Sequence, residues 1–103
     1  MSKNSFSVRL LSIAEEDLTE IITFIAADNS KAAENLANKI EKNLKLLSDN
    51  PLLGKIPSDS DLKLRGYRYL IIENYLIFYT IEKRTVLIHR MLHGARNYKS
   101  LLL

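Results

Sequence analysis

A chain of 103 residues, 47% of them hydrophobic, is the length of one domain and can bury a single core, which argues against disorder. The absence of cysteine excludes disulfides, thiol catalysis and cysteine metal ligands, and fits a reducing cytoplasm. The net charge of +3 divides unevenly: residues 1–49 hold six Lys/Arg against eight Asp/Glu, residues 50–103 nine against four, so the second half favours an acidic or polyanionic partner.

The opening MSKNSFSV lacks an apolar core, so no signal peptide is expected. No apolar run approaches the ~20 residues of a membrane helix, and no membrane partner is expected. Residues 6–11, FSVRLL, alternate and predict a short strand with Phe6, Val8 and Leu10 on its buried side. Ser12 with Glu15 three positions on has the form of a capping box. The first helix is predicted over residues 13–27, with Ala14, Leu18, Ile21, Ile22 and Ile25 on one face. Glu15, Glu16, Asp17 and Glu20 are read as acids opposing the positive end of the helix dipole rather than as acid–base groups.

Asp28-Asn29-Ser30 breaks the chain, with Ser30 as the expected cap of a second helix over 30–47. Its stripe is Ala33, Leu36, Ala37, Ile40, Leu44 and Leu47, and Lys31, Lys39, Lys42 and Lys45 share its wet side with Glu34 and Glu41. So short a link makes an antiparallel helical hairpin, whose apolar side must cover a sheet. Asn50-Pro51 ends it, and a loop follows to Arg65. Asp59-Ser60-Asp61 in that loop lacks the Gly and the later Glu of a calcium loop.

Three strands follow, at 67–72, 75–81 and 85–92, rich in Tyr, Ile, Val and Phe and separated by Glu73-Asn74 and Glu82-Lys83-Arg84. The middle run is apolar almost throughout, so it is expected in the centre of the sheet, covered on both faces. The whole reads as a single α+β domain over 1–103, β-α-α-β-β-β, with the helical hairpin on one face of a four-stranded, mostly antiparallel sheet. The first strand can join either edge, and beside the last strand it would run parallel.

Candidate chemistry is basic and aromatic. His89 and His93 lie ~13 Å apart along a strand, too far for one zinc, and no metal or cofactor is expected. Strict alternation puts Arg90 with Val86, Ile88 and Leu92, and His89 with Leu87 and Met91, so one of the two needs a partner beneath the helices. Past the last strand, residues 93–103 form a basic tail. Gly94 permits a sharp turn, and Arg96 is expected close to Arg65 or Arg68. Lys63 and Arg65 lead into the meander. The sheet face away from the helices is expected to be shallow, basic and tyrosine-bearing, with Tyr98 among the residues that can stack on a base. Leu101, Leu102 and Leu103 must fold back or meet a partner.

Four stretches carry a resemblance covering residues 6–102: Ser12 to Leu18, Asn50 to Gly54, Asn74 to Tyr79, and Met91 to Tyr98. Together they make the chain resemble a RelE/ParE-superfamily toxin of bacterial type II toxin–antitoxin modules. The resemblance implies a cytoplasmic growth inhibitor silenced by a cognate antitoxin. RelE-like members are metal-independent mRNA endonucleases acting on the ribosome, whereas ParE-like members bind and poison DNA gyrase. Arg96 falls where the nucleases carry an Arg after the final strand, and Arg68 on the first of their two strand lysines. Leu70 and Leu76 fall where two further cations belong, and the ending His-Gly-x-Arg-Asn is ParE-like, so the resemblance favours gyrase. On the nuclease alternative the catalytic set is Arg68, Arg96, His93 and Arg65. Arg90, Tyr98, Lys63, Leu101, Leu102 and Leu103 are then candidates for target or antitoxin binding. An inactive relic that only binds protein is the remaining reading.

Overall fold

The computed structural model describes residues 5–94 and 96–103. Ala95 of the closing motif, and the first four residues of the stretch read for a signal peptide, lie outside the described residues. The element order is β1 (Ser7–Leu10), α1 (Ser12–Asp28), α2 (Ser30–Asp49), α3 (Ser60–Leu64), β2 (Arg68–Ile72), β3 (Tyr75–Glu82), β4 (Thr85–His93) and α4 (Tyr98–Leu102). The sheet order is β1-β4-β3-β2. β1 takes the place beside β4 and runs parallel to it, Val8 next to Val86, while β2, β3 and β4 form an antiparallel meander. This is the α+β arrangement read from the sequence, a helical hairpin on a mostly antiparallel four-stranded sheet. Among the described residues, no helix is long and apolar enough to cross a membrane.

The main core lies between α1–α2 and the sheet. Ala14 of α1 and Leu36, Ile40 and Leu47 of α2 meet Leu70, Ile72, Ile77, Tyr79, Val86, Ile88 and Met91. Burying aliphatic side chains of this size is worth roughly 1.5–3 kcal/mol each and is the main force holding the layers together. Backbone and side-chain bonds add the register at one end. Phe6 N–H donates to the Ser48 carbonyl at 2.8 Å, and Ser48 Oγ donates to the Phe6 carbonyl at 2.6 Å.

The caps differ from expectation. Ser12 is already inside α1. The residue before it, Leu11, has no side-chain cap, and its carbonyl instead accepts from the N–H groups of Ala14 and Glu15. The capping box therefore does not form. At α2 the cap is Asn29 rather than Ser30, its side chain accepting from the Ala32 N–H at 2.9 Å. Asn at the cap position satisfies one of the four orphaned N–H groups as well as Ser does.

The sheet's other face is also partly closed. Leu62 of α3, Tyr67, Phe78 and Leu92 form a second core, packed by Tyr98, Leu101 and Leu102 of α4. The expected open, tyrosine-bearing surface is corrected accordingly: two short helices from the expected loop and tail sit on it. α3 forms because Asp59 caps it, accepting from the N–H groups of Asp61 and Leu62. α4 is pinned by Lys99, whose ammonium lies 3.0 Å from Asp59 and 3.3 Å from Asp61. Leu101 and Leu102 fold back, and Leu103 stays exposed.

A bulge in β4 corrects the face assignment of its side chains. Phe78 pairs with Arg90 and Tyr79 with Ile88, leaving His89 as the extra residue. An inserted residue resets the alternation. Val86, Ile88 and Met91 therefore share the main core, while Leu92 belongs to the second.

The loop after α2 is clipped to the sheet centre. Tyr79 hydroxyl donates to the Pro51 carbonyl and accepts from the Gly54 N–H, both at 2.8 Å. A Cβ on Gly54 would lie 2.6 Å from that hydroxyl and 2.9 Å from the Tyr69 carbonyl. Gly54→Ala is therefore expected to lower unfolding stability by about 1–3 kcal/mol, the usual cost of an overpacked site. Urea unfolding would measure it, and an unchanged midpoint would show that the loop is not held as described.

Candidate functional site

The sheet register decides where the basic residues lie. β2 and β4 both pair antiparallel to β3, so the end of β4 lies beside the end of β2: Ile72 faces Tyr75, and Tyr75 faces His93. Arg68 begins β2, four residues back along it and two strands across, about 16 Å from the end of β4 at ordinary strand spacings. After β4 the chain turns through Arg96 into α4, whose Leu102 carbonyl returns to Tyr67. The tail leaves the sheet at one end, and the positions of Arg65 and Arg68 belong to the other.

Each basic candidate has a definite setting. Arg68 donates through one guanidinium nitrogen to the carbonyls of Gly54 (3.0 Å) and Leu52 (3.3 Å), which holds the 51–54 loop. Arg90 forms a two-pronged ion pair with Asp17 of α1, at 2.8 and 3.0 Å, and Asp17 also accepts from the Met91 N–H at 3.0 Å. Both side chains are nearly buried, and Asp17 raises the guanidinium pKa further. Asp17 thus partners Arg90 from α1, although the bulge sets Arg90 opposite Phe78 of the second core and not on the Val86 and Ile88 face that alternation gave it. Its neighbours Glu15 and Glu16 are exposed. Lys63 and Arg65 are exposed at the end of α3, and Arg96 is exposed in the turn before α4. His93 ends β4 with its ring edge-on to Tyr75, centroids 5.6 Å apart. Tyr98 lies against Phe78, centroids 5.1 Å apart.

A polar cleft of about 440 Å³ opens where β2 begins, lined by Arg65, Tyr67, Thr80, Glu82 and His89. His89 supplies its floor: alternation from Ile88 of the main core puts it on the second face, just where the bulge begins. Thr80 Oγ1 lies 2.8 Å from His89 Nε2, and Tyr67 hydroxyl lies 3.4 Å from His89 Nδ1. The same hydroxyl donates to the Leu102 carbonyl at 3.4 Å. The Tyr67 and Thr80 hydroxyls thus flank the two ring nitrogens of His89, one on each side.

Burial lowers the His89 pKa below its ordinary value of 6.5, with Glu82 pulling weakly the other way. Burial likewise raises Tyr67, against Arg65. The cleft therefore offers a neutral imidazole, a protonated phenol and a flanking guanidinium near neutral pH. That set can exchange protons or hold a polar group. His89 stood out in the sequence as a residue that could need a partner, but nothing local reveals that Tyr67 and Thr80 supply it. Among the described residues, no group of three His, Asp or Glu side chains is placed to hold a metal.

The family model for the ParE toxin of type II toxin–antitoxin system, parDE, matches residues 8–98. Among solved structures, the chromosomal ParDE system of P. aeruginosa is similar at 17% identity, with a TM-score of 0.72, covering 88% of this chain and 98% of that one. The RelBE2 toxin–antitoxin complex of Mycobacterium tuberculosis is similar at 24% identity, with a TM-score of 0.64, covering 92% and 98%. At such identities these structures share the fold. A comparison with curated proteins finds no match.

His89 is the group whose protonation this cleft resists. Its folded pKa is depressed, so the unfolded chain binds its proton first as pH falls, and stability drops from about pH 6.5 downward through the folded value. In proton NMR titration His89 is expected to show a midpoint below 6.5. A midpoint at or above 6.5 would mean the ring is not buried against Thr80 and Tyr67.

Proposed function

We propose, given that the chain belongs to the ParE toxin family of type II toxin–antitoxin systems, that it inhibits growth by binding DNA gyrase and is silenced by a cognate antitoxin. The observation that supports binding over catalysis is how Arg68 is used. Metal-free phosphoryl transfer needs preorganised cations aimed at one developing charge. Arg68 instead holds two loop carbonyls, and the register keeps it about 16 Å from the end of β4, where Arg96 follows. Leu70 is buried in the main core and Leu76 packs on the second, so neither position adds a cation. Of the candidate residues, Lys63, Arg65 and Arg96 face outward. Separated charges of this kind suit recognition of an acidic protein surface and its on-rate.

The antitoxin reading rests on the family and on the two similar structures, which are toxin–antitoxin assemblies. A gyrase target also implies action in the cytoplasm. The alternative, ribosome-dependent cleavage of mRNA, draws on the cleft. There His89 is held neutral beside Arg65, a pairing that can take a proton near a phosphate.

Two measurements separate these readings. Purified protein in excess is expected to inhibit gyrase supercoiling; full supercoiling activity would reject the gyrase reading, and new toxin-dependent mRNA ends on ribosomes would install the alternative. Arg96→Ala is expected to weaken growth inhibition roughly tenfold, the scale of one interface residue worth about 1.4 kcal/mol, while antitoxin binding persists. Undiminished toxicity in that variant would remove Arg96 from the target contact.

A further inference from the structure

The second face of the sheet is covered toward β2, where Tyr67, Phe78 and Leu92 meet the two short helices. Toward β1 its residues belong to no core. Arg9 opposes Leu87, and Leu87 opposes Thr80; directly opposed residues share a face. The next row along is Ser7, Thr85 and Glu82. Leu11 extends the parallel ladder, its N–H donating to the Ile88 carbonyl at 3.0 Å. Leu10 packs in the main core, so alternation puts Leu11 on the same face as Arg9. Leu11 and Leu87 are half-buried yet pack in neither core.

These two leucines line a cleft of about 580 Å³ with Arg9, Thr85, Glu82 and Lys83. That volume is within the range of small-molecule sites. The two cations are unspent: Arg9 and Lys83 have no hydrogen-bond or ion-pair partner among the described residues. The other cation of the β3–β4 turn is in use. Arg84 lies 4.7 Å from the centre of the Phe6 ring and donates to the Ser5 carbonyl at 3.3 Å. Two cations against one carboxylate leave the lining positive above an apolar floor.

The geometry points to a site for a small amphipathic anion, a flat apolar body bearing one carboxylate or phosphate group. The body lies over Leu11 and Leu87 and takes their remaining surface out of water. A flat body suits this floor because the floor is the surface of a sheet. The acid group meets the Arg9 guanidinium, whose fork of donors matches a carboxylate or phosphate, and the Lys83 ammonium. Glu82 also lines the polar cleft of His89, so its charge turns the anion away from that cleft. The site is separate from His89 and does not depend on whether gyrase or mRNA is the target.

The test is titration of the full chain with naphthoate and with naphthyl phosphate, followed by amide NMR. Both are expected to bind and to shift the amides of Arg9, Leu11 and Leu87, and the tighter of the two identifies the preferred acid group. Naphthylmethanol, which lacks the charge, and acetate, which lacks the rings, are expected to bind about fivefold more weakly. Arg9→Gln and Lys83→Asn should each weaken naphthoate roughly threefold, and Glu82→Gln should strengthen it about twofold, the scale of exposed charges. Asn is chosen because it tolerates the left-handed backbone of Lys83, φ 56°. Leu87→Thr, which keeps a strand-forming residue, should weaken both aromatic anions. The charge variants lie at exposed positions and decide the matter even if that variant unfolds. Equal affinity for naphthoate and naphthylmethanol, shifts confined to the His89 cleft, or no binding would overturn the proposal. So would tighter binding of uridine monophosphate, whose flat ring is polar, since the face would then read a nucleotide.

Discussion

One carboxylate ties α1 to the end of β4 across the apolar contact of the two layers. Asp17 accepts from two nitrogens of Arg90 and from the backbone of Met91. It thereby closes the backbone just past the point where β4 gains its extra residue. Removing either partner would strand a charge in a nearly dry place, which costs far more than a surface pair is worth. Everything downstream of the bulge takes its orientation from there: which side Met91 packs on, where Leu92 points, and the angle at which the chain leaves the sheet. Glu15, in the first turn of the same helix, stays exposed. Sequence position does not distinguish the two acids.

The basic residues divide into those spent on architecture and those left outward. Arg90 secures a helix, Arg68 a loop, and Lys99 the last helix, the last lying between Asp59 and Asp61. Backbone N–H of Leu62 and the Lys99 ammonium together hold the Asp59 carboxyl below its usual range. The positive charge of the second half is therefore less available to partners than its total suggests. Lys55, Lys63, Arg65, Lys83, Arg84 and Arg96 of the second half stay outward, around a sheet whose second face is already partly occupied.

The long periodic segments were legible from the residues. The stripe of α2 and the β-rich runs of the meander carry their burial pattern openly, and Leu36, Ile40, Leu47, Ile77 and Val86 all reach the core. What stayed hidden has local energies too small or too similar to decide. Asn29 and Ser30 are adjacent and nearly equal as caps, and geometry chose the first. The five-residue helices have no periodicity to read; they exist because Asp59 caps one and the second core draws in the other. The bulge is invisible because no residue type marks it, and missing it misassigned every side chain beyond. The resemblance to a family supplied the fold with more certainty than the spacing of basic residues supplied a site.

The parallel pairing of β1 with β4 has a temporal side. Val8 finds its neighbour in Val86, so during synthesis β1 has nothing to lie against until β4 has been made. Closing so long a loop is slow. The helical hairpin, by contrast, can assemble from adjacent segments as soon as it emerges from the ribosome. A nascent chain of this protein thus carries an orphaned first strand and a half-covered hairpin through the synthesis of the whole meander.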